Sequence, residues 1–256
     1  MTTLQAIGAL FKAFGHVLKG LRELRVSFPH LAPQERQLRI QQWSCELLRI
    51  LGVGIEVSGR PPTAGLVVAN HISWLDILVL NAAAPVRFVS KADVRHWPVL
   101  GRLVEAAGTL FIERGSRRET LRVAHQMAAH LQQGHVLALF PEGTTSNGLQ
   151  LLPFHANLLQ AAIHAQCAVT PVALGYWNLS GQRSTVPAYI GNMTLLQSMW
   201  QTLRQGPVTA RVVLGEAEVA KDRERRQWSY DLRQRLQQMS GLPLAEQISP
   251  NAPDFF

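Results

Sequence analysis

Between residues 53 and 240, short runs of aliphatic and β-branched residues alternate with longer segments of helical spacing, and nothing else in the chain limits its fold so strongly. The short runs fall at 55–57, 66–69, 87–90, 109–112, 136–140, 168–174, 188–190 and 208–214. Helical spacing covers 74–82, 97–106, 117–133, 154–165, 194–205 and 222–240. Strands alternating with helices predict an α/β fold, a mixed, largely parallel sheet sandwiched by helices. With 256 residues, 47% of them hydrophobic, the chain can bury one large core with an appended segment. No long polar linker argues for two equal domains, and no repeat or low-complexity tract interrupts the pattern.

The appended segment is the N-terminus. Leu4, Ile7, Leu10, Phe11, Phe14, Val17, Leu18, Leu21 and Leu24 recur at helical spacing, with Lys12, His16, Lys19 and Glu23 opposite them. Such a helix either lies in a membrane interface or packs its apolar face on the protein's own core. Pro33 suits the first position of a second helix, whose stripe is Ile40, Trp43, Leu47, Ile50 and Leu51. Residues 1–52 therefore read as an amphipathic two-helix element and residues 53–256 as the α/β domain. A net charge of +8 favours an anionic partner. A nucleic-acid-binding protein would show a binding module or a dense Lys/Arg block, and neither occurs, so an anionic membrane surface or an acidic substrate is the better fit. No secretory signal is evident, and no apolar run approaches the roughly 20 residues needed to span a bilayer. Cys45 and Cys167 match neither a disulfide framework nor a zinc spacing, which favours a reducing, cytoplasmic compartment.

Four stretches place polar residues at the ends of predicted strands or interrupt one. In Asn70-His71-Ile72-Ser73-Trp74-Leu75-Asp76, an apolar run gives way to a polar turn and then a helix. Sites in open α/β folds collect at such strand-to-helix turns. His71 and Asp76 can face each other if His71 precedes the helix and Asp76 lies in its first turn, an arrangement that an N-capping Ser73 would set. The pair would then be a general base with its orienting carboxylate. Equally, Ser73 to Asp76 is a capping box in which the carboxylate needs no further role. Gly108 to Gly115 delivers Glu113 and Arg114 to a strand end, either as a charged turn or as a guanidinium fork for an anion. Phe140-Pro141-Glu142-Gly143-Thr144 ends another strand in a loop that could hold an anionic or polyhydroxyl headgroup, or simply turn. In Val169-Thr170-Pro171-Val172 a proline inside a strand marks an edge, a bulge or an interrupted ladder.

These four stretches, in this order, resemble the glycerolipid acyltransferase family, which includes the bacterial lysophosphatidic acid acyltransferases. The resemblance covers residues 55–215, and the two-helix N-terminus is similar to that of bacterial members. It implies transfer of a fatty acyl group from acyl-CoA or acyl-carrier protein to the hydroxyl of a lysolipid, foremost 1-acyl-sn-glycerol-3-phosphate, giving phosphatidic acid. It implies His71 as general base, Asp76 orienting it, and Glu113, Arg114, Glu142, Gly143, Thr144 and Lys91 as acceptor-binding residues. Pro171 matches a motif of undefined role. No cofactor or metal is implied, and the protein would sit peripherally on the cytoplasmic face of the inner membrane. No Gly-x-Ser-x-Gly elbow occurs, so the acceptor alcohol itself would attack without an acyl-enzyme. Two departures bear on the headgroup: Thr145 stands where many members carry arginine, and Phe154-His155-Ala156-Asn157 stands for Phe-Lys-x-Gly. A lyso-ornithine lipid or a lysophospholipid diester is therefore the alternative acceptor. A non-catalytic membrane-lipid-binding protein of the same fold is the alternative of another class.

Overall fold

A computed structural model describes residues 2–97, 99–112 and 117–245. Two helices, α1 (Thr3–Val26) and α2 (Pro33–Ile50), lead into β1 (Val53–Ser58) and β2 (Gly65–Ala69). Then follow α3 (Leu75–Ala83), β3 (Arg87–Lys91), α4 (Leu100–Ala106), β4 (Leu110–Ile112), α5 (Arg117–Gln132) and β5 (Val136–Leu139). The chain continues through α6 (Leu159–Ala165), β6 (Ala168–Asn178), α7 (Leu195–Gln205), β7 (Val208–Leu214), β8 (Glu218–Val219) and α8 (Arg225–Ser240).

The strands form one sheet in the order β1-β7-β6-β2-β5-β3-β4, with β8 also on β6. Among the strands of the described residues, the β6–β7 and β6–β8 pairings are antiparallel and the other five are parallel. β2 lies at the centre and is buried along its whole length, which is why its sequence is a continuous apolar run. Its side chains alternate between two cores. Val67 and Ala69 join the layer of α1, α2, α3 and α7, while Leu66 and Val68 join that of α5, α6 and α8. The predicted sandwich is thereby realised.

The proline in β6 sits where the strand changes partners. Upstream, Ala168 and Val169 pair with β8; downstream, 172–178 pair with β7. The Pro171 carbonyl accepts from the Gly215 N–H, so its missing donor falls on the side where the ladder passes from β8 to β7. Beyond Val172, opposite Ala69, β6 runs on past the end of β2 and overhangs the turn that follows it.

Two predicted elements are corrected. Residues 188–190 are not a strand: the Tyr189 N–H donates to the Ile72 carbonyl and its own carbonyl accepts from Thr145 Oγ1, so its backbone pairs with loops instead of the sheet. The predicted helix at 154–165 begins only at Leu159, because the His155 N–H is taken by the Pro141 carbonyl and the Phe154 carbonyl by Ser229 Oγ.

The apolar stripe of α1 is divided: Leu10, Val17, Leu21 and Leu24 are half-buried, Leu10 against the core, while other members stay exposed. Ala6, Ala9, Ala13 and Gly20 face the protein, whereas Leu4, Phe11, Phe14 and Leu18 are exposed, Leu4 at 80% and Phe11 at 74%. The approach is close: a Cβ on Gly20 would come within 2.6 Å of Trp43 Nε1 on α2.

Candidate active site

The site is built at the carboxyl ends of β2 and β5, beneath the overhang of β6. After Ala69 the chain must turn, and the backbone groups of residues 71–73 find partners outside the ladder. Asn70 spans the gap to β6, its amide donating to the Leu174 carbonyl at 3.0 Å and its oxygen accepting from the Leu174 N–H at 2.7 Å. The His71 N–H donates to Glu142 Oε2 at 2.9 Å, and the His71 carbonyl accepts from the Ser146 N–H at 2.8 Å. The Ile72 and Ser73 N–H groups both donate to Asp76 Oδ2, at 2.6 and 2.8 Å.

Asp76 is completely buried, yet no acceptor position on it is wasted. Besides the two backbone donors, Oδ2 lies 2.8 Å from His71 Nδ1, and Oδ1 receives the Tyr176 hydroxyl at 2.6 Å. The four donors around this buried carboxyl supply the hydrogen bonding that water would otherwise give. With Nδ1 turned to Asp76, Nε2 is the ring nitrogen left for another partner. One face of the imidazole is covered by Phe140, whose ring stacks on it at 3.9 Å and 7°. The His71 side chain is 17% exposed, so the ring is sheltered without being sealed.

The geometry at the start of α3 corrects the role expected of Ser73. The helix begins at Leu75 with Trp74 in the cap position, and the Ser73 hydroxyl accepts from the Leu75 N–H. It is the Asp76 carboxylate, gathering the N–H groups of the turn, that sets the distance to His71.

Glu142 sits on the other side of His71, 3% exposed, accepting from the His71 and Leu152 N–H groups through its two oxygens. Burial pushes its carboxyl up to about 8, helped by the Asp76 charge and opposed by the two backbone donors and by Arg233. Its loop turns sharply at Gly143, where φ is +66° and glycine is the favoured residue. Thr144 is exposed beyond it. Arg233 of α8, 3% exposed, donates through Nη2 to the carbonyls of Leu151 and Ala245 and so ties this loop to the C-terminal segment.

The structure thus brings His71, Asp76 and Glu142 together, with Gly143 and Thr144 on the same loop. Pro171 lies in the sheet and serves the change of ladder partner. Glu113 and Arg114 lie outside the described residues, and Lys91 is placed by its backbone alone, paired with Ile112 at the end of β3. Among the described residues no group of three or more His, Cys, Asp or Glu side chains is placed to hold a metal ion.

Sequence reasoning missed Tyr176, Phe140 and Arg233 as site residues. Tyr176 carried a usable signal: Val172, Leu174 and Tyr176 alternate onto the face shared with α3, and a phenol in a buried strand needs a partner for its hydroxyl.

An apolar cavity of about 610 Å³ lies between α1, α2, α3, α4 and α7. Trp74, Ile77 and Leu78 of the first helix after the site line it, with Phe88, Leu103 and Met199. Phe88 stacks in turn on Phe140 at 5.9 Å, so one aromatic ring separates the cavity wall from His71. A His–Asp pair beside an apolar cavity of this size has the parts needed to activate a hydroxyl next to a hydrocarbon chain.

Comparison with known proteins agrees. Residues 54–175 match the Acyltransferase family model. A 1-acyl-sn-glycerol-3-phosphate acyltransferase of Neisseria meningitidis serogroup B is 40% identical over 184 residues, 70% of this chain and 71% of the relative. A lyso-ornithine lipid O-acyltransferase of Pseudomonas aeruginosa is 43% identical over 170 residues, 66% of this chain and 65% of the relative. The crystal structure of a 1-acyl-sn-glycerophosphate acyltransferase from Thermotoga maritima superposes with a TM-score of 0.72, covering 93% of this chain and 94% of that one at 20% identity, a likeness in fold that reaches beyond the region matched by the family model. The chain belongs to the glycerolipid and lysophospholipid acyltransferase family, and it is an acyltransferase acting on a lysolipid acceptor and an acyl donor.

Proposed function

We propose that the protein transfers a fatty acyl group from a thioester, acyl-CoA or acyl-carrier protein, to the free hydroxyl of 1-acyl-sn-glycerol-3-phosphate, with His71 as general base. The observation that carries this reading is the hydrogen bond from His71 Nδ1 to a fully buried Asp76, which leaves Nε2 to receive the acceptor's proton. As the alcohol oxygen attacks the thioester carbonyl, its proton passes to Nε2 and the imidazolium is stabilised by Asp76. Collapse of the tetrahedral intermediate breaks the C–S bond, and the imidazolium returns the proton to the leaving thiolate. Gly143 and Thr144, with Lys91, Glu113 and Arg114, are assigned to the acceptor, whereas Glu142, buried and with both oxygens taken by the His71 and Leu152 N–H groups, is assigned to holding their loop against His71, a correction to the acceptor-binding role expected of it. The 610 Å³ apolar cavity takes hydrocarbon.

The two-helix element at residues 1–52 is assigned to docking on the cytoplasmic face of the inner membrane. What supports this is the exposed row Leu4, Phe11, Phe14 and Leu18, continued by Leu196 of α7, on a protein of net charge +8. No helix among the described residues is long and apolar enough to cross a membrane.

A second acceptor, a lyso-ornithine lipid, is favoured by one observation. Thr145, at the position where many relatives carry a cation, spends its hydroxyl on the Tyr189 carbonyl. Purified protein given one acyl-CoA and a panel of lysolipids, with products read by mass spectrometry, decides between them. Phosphatidic acid as the main product supports the first reading; acylated ornithine lipid alone replaces it.

A further inference from the structure

Asp76 is the residue on which the activity of His71 depends, and three of its four donors are local, from His71, Ile72 and Ser73. The fourth comes from a hundred residues away. Tyr176 projects from the part of β6 that overhangs β2 and sets its hydroxyl 2.6 Å from Asp76 Oδ1. The three local donors all converge on Oδ2, so among the described residues Tyr176 alone bonds Oδ1.

We propose that Tyr176 is a positioning residue for acyl transfer: by holding Oδ1 it fixes the carboxylate plane so that Oδ2 meets His71 Nδ1–H, and it sets how strongly Asp76 favours the imidazolium.

The proposal rests on His71 being the general base. The physical argument has two parts. A carboxylate rotates about its Cβ–Cγ bond, and donors on one oxygen alone leave that rotation to be limited by packing; a donor on the second oxygen removes it. A hydrogen bond also draws charge from the carboxylate. The more Tyr176 draws, the less Asp76 has to offer the proton on His71. The phenol is suited to donate and never accept here, since its burial and the Asp76 charge push its own ionisation well above the ordinary value. The other titratable groups facing the pair are Glu142, from the loop after β5, and behind it Arg233 of α8. α7 presents Ser198, which accepts from the Trp74 indole, and the Tyr189 backbone holds Ile72.

The sign of the effect follows. In Tyr176→Phe the anion loses a donor, holds the imidazolium proton more tightly, and the acid limb of the kcat/KM–pH profile moves up by about half to one pH unit. Loss of the fixed carboxylate plane lowers kcat by about 10-fold. Replacing Tyr176 by 3-fluorotyrosine keeps the shape of the core, makes the hydroxyl a stronger donor, and moves the same limb down. A merely structural tyrosine would change the rate evenly at all pH values.

The test is the pH profile of thioester consumption for the wild type, Tyr176→Phe, the fluorotyrosine protein and His71→Ala, using acyl-CoA and lysophosphatidate. Opposite shifts in the two Tyr176 proteins establish the role. Limbs that stay in place, or move in the same direction, overturn it while a dead His71→Ala leaves the base assignment standing. An active His71→Ala overturns the base assignment itself. Should Tyr176→Phe fail to fold, a downward shift in the fluorotyrosine protein supports the proposal, and an unmoved limb refutes it.

Discussion

Glu142 makes the pH dependence of stability a direct probe of the site. The folded protein holds this carboxyl's proton up to about pH 8, whereas an unfolded chain releases it near the ordinary value of 4.5. Between these values folding makes Glu142 bind a proton that the unfolded chain releases, so this group's contribution to stability is fully present below pH 4.5 and is lost as pH rises towards 8. Each pH unit removes about 1.4 kcal/mol, and the whole window about 5 kcal/mol. Glu142→Gln abolishes this slope because an amide does not ionise. Its single oxygen can accept from only one of the His71 and Leu152 N–H groups, which costs about 1–3 kcal/mol at every pH. The variant is therefore less stable than the wild type in acid and more stable in base, with the curves crossing near about pH 6 on these magnitudes. Urea unfolding of both proteins from pH 5 to 9 measures the difference, and the other titrating groups largely cancel in it. A difference that stays constant with pH, or that grows in favour of the wild type as pH rises, refutes the reasoning.

Leu4, Phe11 and Phe14 replaced together by serine release the protein from anionic liposomes while leaving its fold intact, since none of the three belongs to the core; sedimentation with vesicles checks this. Arg233→Met removes the donor to the Ala245 carbonyl and one of two donors to the Leu151 carbonyl, and lowers stability by about 1–3 kcal/mol, read by thermal or urea unfolding.

How much of this was legible in the sequence depends on the range of the interaction. The strand–turn–helix at 66–83 follows from local pattern, because β2 is buried on both faces and α3 begins within a few residues of it. The facing of His71 and Asp76 was readable for the same reason. Its cause was read incompletely, since a serine and an aspartate three residues apart look like a capping box whichever of them does the gathering of N–H groups. That Tyr176 is buried and needs a partner was readable from strand alternation, but which partner was out of reach of any local argument: its contact with Asp76 exists because β6 runs on past β2 while pairing with β7. The segments at 154–158 and 188–190 have element-like composition, yet their backbone groups are claimed by Pro141, Ser229, Ile72 and Thr145 across the site. The apolar row of α1 was readable from its spacing, whereas the closeness of the helix was not: Ala6, Ala9 and Ala13 are buried while Leu4, Phe11, Phe14 and Leu18 stay exposed.

The central claim is that Nε2 of His71 accepts the proton of the lysolipid hydroxyl. The rate of CoA release from acyl-CoA in the presence of lysophosphatidate, compared between the wild type and a folded His71→Ala protein, tests it most directly. The account predicts a loss of about 10²–10⁴-fold with the circular dichroism spectrum and unfolding midpoint retained. A rate within a few-fold of the wild type would contradict it.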